Sequence, residues 1–204
     1  MKKTHILLAL LVAALFVLAA VSCASGDAGG APYRTEGCLF YKEMRRYTGA
    51  KERYIAITGC DKEKLPADLV IPERIDDLPV AVIGNGAFRN CETLKSVVMP
   101  DTVAYIDRYA FSGCTAIESI YFSQSLREIS YMAFYDCKSL GYIELPSSLR
   151  IIGEMAFYNC IDIKVYLNNL YQISPAAFGH KFYTLQQTET SNCFMITENI
   201  INIL

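Results

Sequence analysis

The stretch ISYMAFYDCKSLGYIELPSSLRI, residues 129–151, decides the fold, because its landmarks return at a fixed interval along the chain. Ala-Phe pairs stand at Ala87-Phe88, Ala110-Phe111, Ala133-Phe134 and Ala156-Phe157, each 23 residues after the last, and a fifth, Ala177-Phe178, follows after 21. Cys91, Cys114, Cys137 and Cys160 keep the same interval, as do Ile83, Ile106, Ile129 and Ile152. A period in this range marks a solenoid, in which one unit cannot bury its apolar face alone and must stack on its neighbours.

Within the unit, Ile143 and Leu145 alternate with Tyr142 and Glu144, the signature of a short strand with one face inward. Pro146 cannot donate to a ladder, so the strand ends there. Leu149 and Ile152 bring the chain back inward. Ala133, Phe134 and Cys137 cover the far side of the coil. Alanine permits a tight bend, phenylalanine fills the interior, and cysteine behaves as a small buried hydrophobe. The expected fold is a repeat solenoid: short stacked β-strands on one wall, with turns or short 3-10 or helical pieces on the other.

The whole pattern, IGxxAFxxCxxLxxIxLPxxLxxI, resembles the BspA-like leucine-rich repeat family of bacterial surface proteins. Four near-regular units run from Ile83 to about Leu170, and a fifth starts at Ile173. The Gly that follows the Ile at Gly84 and Gly153 is replaced by Asp107, Ser130 and Ser174, residues that also suit turns. In the last, shortened unit Val165 and Leu167 are expected inward, with Lys164 and Tyr166 outward. Leu69-Val70-Ile71-Pro72 and Ile75 to Val80 look like the atypical first repeat of such proteins. Cys38 to Tyr47 and Tyr54 to Thr58 are expected to pair as a small hairpin over the first coil. This divides the chain into an N-terminal β cap with an atypical first repeat (36–82), the repeat array (83–178) and a tail (179–204). The tail has no AFxxC and ends in the apolar IINIL; it reads as either a C-terminal cap or a truncated end.

At the other end, Lys2 and Lys3 precede an unbroken apolar run of 16 residues, Ile6 to Val21. A spanning helix wants about 20, so residues 1–22 read as a signal peptide. Ala20-Val21-Ser22-Cys23 resembles the lipobox of bacterial lipoproteins, which makes Cys23 the lipid-attachment residue; ordinary cleavage nearby is the alternative. Residues 23–35, with Ser25-Gly26-Asp27-Ala28-Gly29-Gly30, read as a flexible tether. The resemblance implies a lipid-anchored protein of the bacterial cell envelope, in the outer membrane or at the cell surface.

Removing Lys2 and Lys3 takes the 19 Lys+Arg to 17 against 21 Asp+Glu, a net charge of −4. Nucleic acid would require a basic face, so it is not an expected partner. The eight cysteines contain no CxxC pair, which removes the usual basis for a zinc or redox site. Stacked strands lie about 4.8 Å apart, beyond the ~3.8 Å that the Cβ atoms of a disulfide prefer, so the ladder of four is expected to stay reduced. Cys38 and Cys60 flank the hairpin and are either bonded to each other or free. The histidines are His5, in the leader, and His180, alone in the tail. No Ser-His-Asp set and no phosphate loop can be assembled. The reading is therefore non-enzymatic, with no cofactor, metal or small-molecule substrate.

What remains is a surface. The outward strand residues Ser96 and Val98, Ser119 and Tyr121, Tyr142 and Glu144, and Lys164 and Tyr166 would form one solvent-facing sheet face. Tyrosine offers large contact area and a polar tip at small entropic cost; the alternative is that it stands there for its high strand propensity. The family resemblance implies adhesion, with a protein or other macromolecule at the cell surface as partner. The alternative is a passive structural or assembly module, or a fragment of a longer repeat protein.

Overall fold

Each coil places two short strands at the same two points of its circuit, so like strands stack along the whole array. The computed structural model describes residues 34–45, 52–161, 163–167, 172–174, 176–178, 183–187 and 194–198. Residues 1–22, Cys23, His180 and Cys193 lie outside the described residues.

In chain order, β1 (Arg34–Glu36), β2 (Leu39–Arg45) and β3 (Arg53–Cys60) form an antiparallel meander. β1 thus begins inside the last two residues of the segment read as a tether. Next come β4 (Asp68–Val70), β5 (Arg74–Ile75) and β6 (Leu78–Ile83). The array follows as alternating strands: β7 (Ser96–Val98) and β8 (Tyr105–Ile106), β9 (Ser119–Tyr121) and β10 (Glu128–Ile129), β11 (Tyr142–Leu145) and β12 (Ile151–Ile152), β13 (Lys164–Leu167) and β14 (Gln172–Ile173). A hairpin of β15 (Tyr183–Gln187) and β16 (Phe194–Glu198) ends the described chain.

Two sheets result. One runs β15-β16-β13-β11-β9-β7-β4, parallel through the array, with β16 laid antiparallel on β13. The other runs β1-β2-β3-β6-β8-β10-β12-β14, and β5 pairs with β6. The second ladder stands where the sequence suggested only an inward turn: Ile83, Ile106, Ile129, Ile152 and Ile173 are its in-register partners. Cross-coil pairing therefore supplies backbone partners at two walls rather than one. Among the described residues there is no helix.

The third wall is the AFxxC turn, and it too is hydrogen-bonded between coils. The amide of each Phe donates to the Ala carbonyl of the next coil: Phe88 to Ala110 at 2.8 Å, Phe111 to Ala133 at 2.8 Å, Phe134 to Ala156 at 2.7 Å and Phe157 to Ala177 at 2.8 Å. Turning the backbone for these bonds uses two left-handed residues per coil. One position holds Gly86, Tyr109, Met132 and Met155, and the other Asn90, Gly113, Asp136 and Asn159, with φ between 53° and 77°. Asn, Asp and Gly tolerate that region readily; Tyr and Met pay roughly 1–2 kcal/mol for it, offset by the bonds between coils.

The core is a column. Phe88, Phe111, Phe134 and Phe157 are fully buried, and consecutive rings, continuing to Phe178, stack with centroids 5.0–5.3 Å apart. Phe122 meets the edge of Phe134 at 5.8 Å. Ile83 with its repeats, Leu94 with Ile117, Leu140 and Ile163, and Val97 with Ile120, Ile143 and Val165 complete the interior.

Candidate binding surface

The outward residues of the first sheet fall into two rows fixed by strand register. Asp68, Ser96, Ser119, Tyr142 and Lys164 are successive partners in one row. Val70, Val98 and Tyr121 are partners in the other, and Glu144 pairs with Tyr166 two residues further along β11 and β13. The alternation arises because Val97, Ile120, Ile143 and Val165 point into the core, which turns their neighbours out. Tyr121 is 46% exposed, Tyr142 48% and Val70 49%. Glu144 is exposed, while Ser96, Val98 and Ser119 are half-buried. Ser96 Oγ donates to Asp68 Oδ1 at 2.6 Å, tying two coils together on this face. Lys164 and Tyr166 have their backbone in β13, but their side chains lie outside the described set.

Two features were not evident in the chain. Val70, from the atypical first repeat, extends the apolar end of the surface. The second sheet has an outward row of its own, Val82, Tyr105, Glu128 and Ile151, beside a groove of about 260 Å³ between β3, β6 and β8. The signal for the second row is the recurrence of Ile83 at Ile106, Ile129 and Ile152, since two-residue strands are too short to show alternation.

The profile of the BspA-type leucine-rich repeat region, in six copies, matches residues 75–203. The chain belongs to the BspA-type leucine-rich repeat family. The match takes in β15 and β16, beyond the last Ala-Phe pair. A leucine-rich repeat protein of T. pallidum is 34% identical with a TM-score of 0.54, over 60% of this chain and 55% of that one. A leucine-rich cell surface protein of Faecalibacterium prausnitzii is 26% identical with a TM-score of 0.51, over 70% of this chain and 40% of that one. A leucine-rich repeat protein of Bacteroides capillosus shares the fold at 24% identity and a TM-score of 0.55, over 71% of this chain and 99% of that one. This BspA-type chain thus spans about half, or less, of the first and second of these proteins. None of the curated proteins matches it.

The repeat cysteines of this BspA-type array have a bonding pattern of their own. Cys114 Sγ donates to the Phe88 carbonyl at 3.0 Å, Cys137 to Phe111 at 3.2 Å and Cys160 to Phe134 at 3.3 Å. Each thiol therefore reaches the coil before it. Burial pushes the Cys114 and Cys160 thiols up to about 12 and Cys137 well above the usual range, which makes poor nucleophiles. All six described cysteines are thiols. Cys38 and Cys60 are not bonded to each other; Cys60 Sγ instead lies 3.4 Å from Cys91 Sγ. Among the described residues no group of three or more His, Cys, Asp or Glu could hold a metal ion.

Proposed function

We propose that this chain is an exported, non-enzymatic envelope protein that binds another protein through the strand face of its solenoid and is held to the membrane by a lipid on Cys23. The observation that carries the binding reading is the exposure of Tyr121 and Tyr142 on adjacent strands whose backbones are locked in register on both sides. Aromatic side chains on a rigid platform bind with little ordering cost. The cell-surface description of the 26% identical F. prausnitzii protein supports an envelope location, and the run ending in Ala20-Val21-Ser22-Cys23 supports the anchor. Five coils at the strand spacing offer a strip only about 20 Å long, so the partner presents a compact epitope or the protein acts in many copies.

The test compares the full chain with its Tyr121→Ser, Tyr142→Ser variant, each immobilised and exposed to host and bacterial surface extracts. A partner retained by the parent and bound more than about tenfold more weakly by the variant is expected. Equal retention would remove the strip from the interface, and no retained partner at all would favour a passive assembly module. Cys23→Ala should release the exported protein from the membrane fraction; unchanged partition into detergent would contradict the lipid anchor.

A further inference from the structure

The thiol ladder has an irregular first rung. Cys114, Cys137 and Cys160 each donate to a Phe carbonyl one coil upstream. Cys91 opens the ladder, before which there is no AFxxC turn, and the group its Sγ meets at 3.4 Å is the thiol of Cys60, at the end of β3. The two belong to different parts of the fold, Cys60 to the N-terminal meander and Cys91 to the first full coil. Their backbones are fastened around them. Lys62 Nζ donates to the Asn90 carbonyl at 3.2 Å, and the Asp61 amide donates to the Cys38 carbonyl at 2.8 Å.

We infer that Cys60 and Cys91 are a disulfide-forming pair, which covalently staples the N-terminal meander to the repeat array when a disulfide oxidant is present. A bond of about 2.05 Å requires the two sulfurs to close a little over 1 Å from their present separation. The two thiols already meet as hydrogen-bond partners. Access divides the roles. Cys91 is buried at 1% exposure, whereas Cys60 is half-buried and open to a reagent. Cys60 attacks the oxidant R–S–S–R, forming Cys60–S–S–R and releasing one RS⁻, which takes up the proton that Cys60 gives away. Cys91 then attacks the Cys60 sulfur, forming Cys60–S–S–Cys91 and releasing the second R–S⁻, protonated by the Cys91 proton. Two protein thiols are oxidised and one external disulfide is reduced to two thiols. The contact with Cys91 and burial push the Cys60 thiol up, so its attack on the oxidant speeds up as pH rises.

The competing pair is Cys38 with Cys60, neighbours across β2 and β3, since Leu39 is the register partner of Cys60. The hydrogen-bond partner of the Cys60 sulfur is Cys91, and the remaining ladder thiols are occupied by carbonyls. The bond would close a loop of 31 residues. In the chain-entropy account that lowers the unfolding equilibrium constant by on the order of 10²–10³-fold.

Trypsin separates the three thiols: Cys38 falls on peptide 35–42, Cys60 on 54–62 and Cys91 on 90–95. The full chain is incubated with oxidised glutathione, quenched by an alkylating agent under denaturing conditions and mapped without reduction. Peptides 54–62 and 90–95 are expected joined, with peptide 35–42 alkylated. The oxidised protein should unfold at a higher denaturant midpoint than the same protein in a reducing buffer. Cys38→Ser should keep both results. Cys91→Ala should lose the midpoint shift and trap a glutathione adduct on Cys60; if it does not fold, Cys60→Ser, at a half-buried position, serves to remove the cross-link and the shift. A link between peptides 35–42 and 54–62, or Cys60 and Cys91 both recovered alkylated from folded protein, would overturn the assignment. None of these readouts depends on a binding partner, so failure here leaves the proposed binding role standing, and the reverse.

Discussion

Cys137 Sγ donates across 3.2 Å to the carbonyl oxygen of Phe111, 26 residues upstream, so the side chain that fills the turn of one coil also ties it to the turn before. Cys137→Ala should cost about 1 kcal/mol, from the lost bond and the small cavity. The Phe111 carbonyl keeps a partner in the Cys114 amide, at 3.1 Å, which limits the loss. Cys137→Lys should prevent folding at moderate temperature, because it buries an unpaired charge. Urea denaturation of the two variants checks the order.

Phe134 lies between Phe111 and Phe157, with ring centroids at 5.1 and 5.2 Å and Phe122 against its edge. Its truncation to Ala opens a cavity that the hydrogen-bonded walls cannot close. Phe134→Ala is expected to cost ~3–5 kcal/mol, and Arg127→Ala, at an exposed position, no more than ~0.5 kcal/mol. Equal denaturation midpoints would show that the inward and outward assignment of the coil is wrong.

Two glycines should respond oppositely to a methyl group. A Cβ at Gly153 would lie 2.7 Å from the Tyr131 nitrogen and 2.8 Å from the Ser130 carbonyl carbon, both backbone atoms of the previous coil. Gly153→Ala therefore separates two coils and should cost roughly 1–3 kcal/mol. A Cβ at Gly141 meets nothing within 4 Å, so Gly141→Ala should lie within about 0.5 kcal/mol of the parent. Differential scanning calorimetry of the two single variants gives the comparison.

The buried thiols predict a decline in stability at alkaline pH. Cys114 and Cys160 hold their protons to about 12, against 9.0 for an ordinary thiol, because burial disfavours the thiolate. Between those values the unfolded chain has lost these protons and the folded chain has not, so stability falls as pH rises. Below 9.0 the contribution is present in full. Each thiol adds a slope of about 1.4 kcal/mol per pH unit within the window. A Cys114→Ala, Cys160→Ala variant should lose less stability than the parent between a pH below 9.0 and one between 9.0 and 12. Parallel pH profiles from denaturant midpoints would contradict the burial of these groups.

How much of this was legible in the chain depends on whether a feature repeats. The 23-residue interval, the inward Ile143 and Leu145, the outward Tyr142 and Glu144 and the Phe-lined interior could all be read directly, because every coil meets the same neighbours and is written in the same residues. The hairpin of β2 and β3 was also readable from its two apolar runs. Only the tertiary structure decided features that depend on how one coil meets something unlike itself. The short strands ending at Ile106, Ile129 and Ile152 are two residues long, too brief for alternation to announce them, and exist because each has a partner above and below. The left-handed turns at Tyr109, Met132 and Met155 carry side chains that do not favour that conformation, and follow from bonds between coils. The contact of Cys60 with Cys91 lies where the cap meets the first coil. Cys60 ends β3, which pairs parallel with β6 and shifts register against β2 between Phe40 and Tyr41, and no local pattern encodes either feature. A repeating environment leaves a repeating sequence; a junction made once leaves no such trace, and its geometry appears only when the chain has folded.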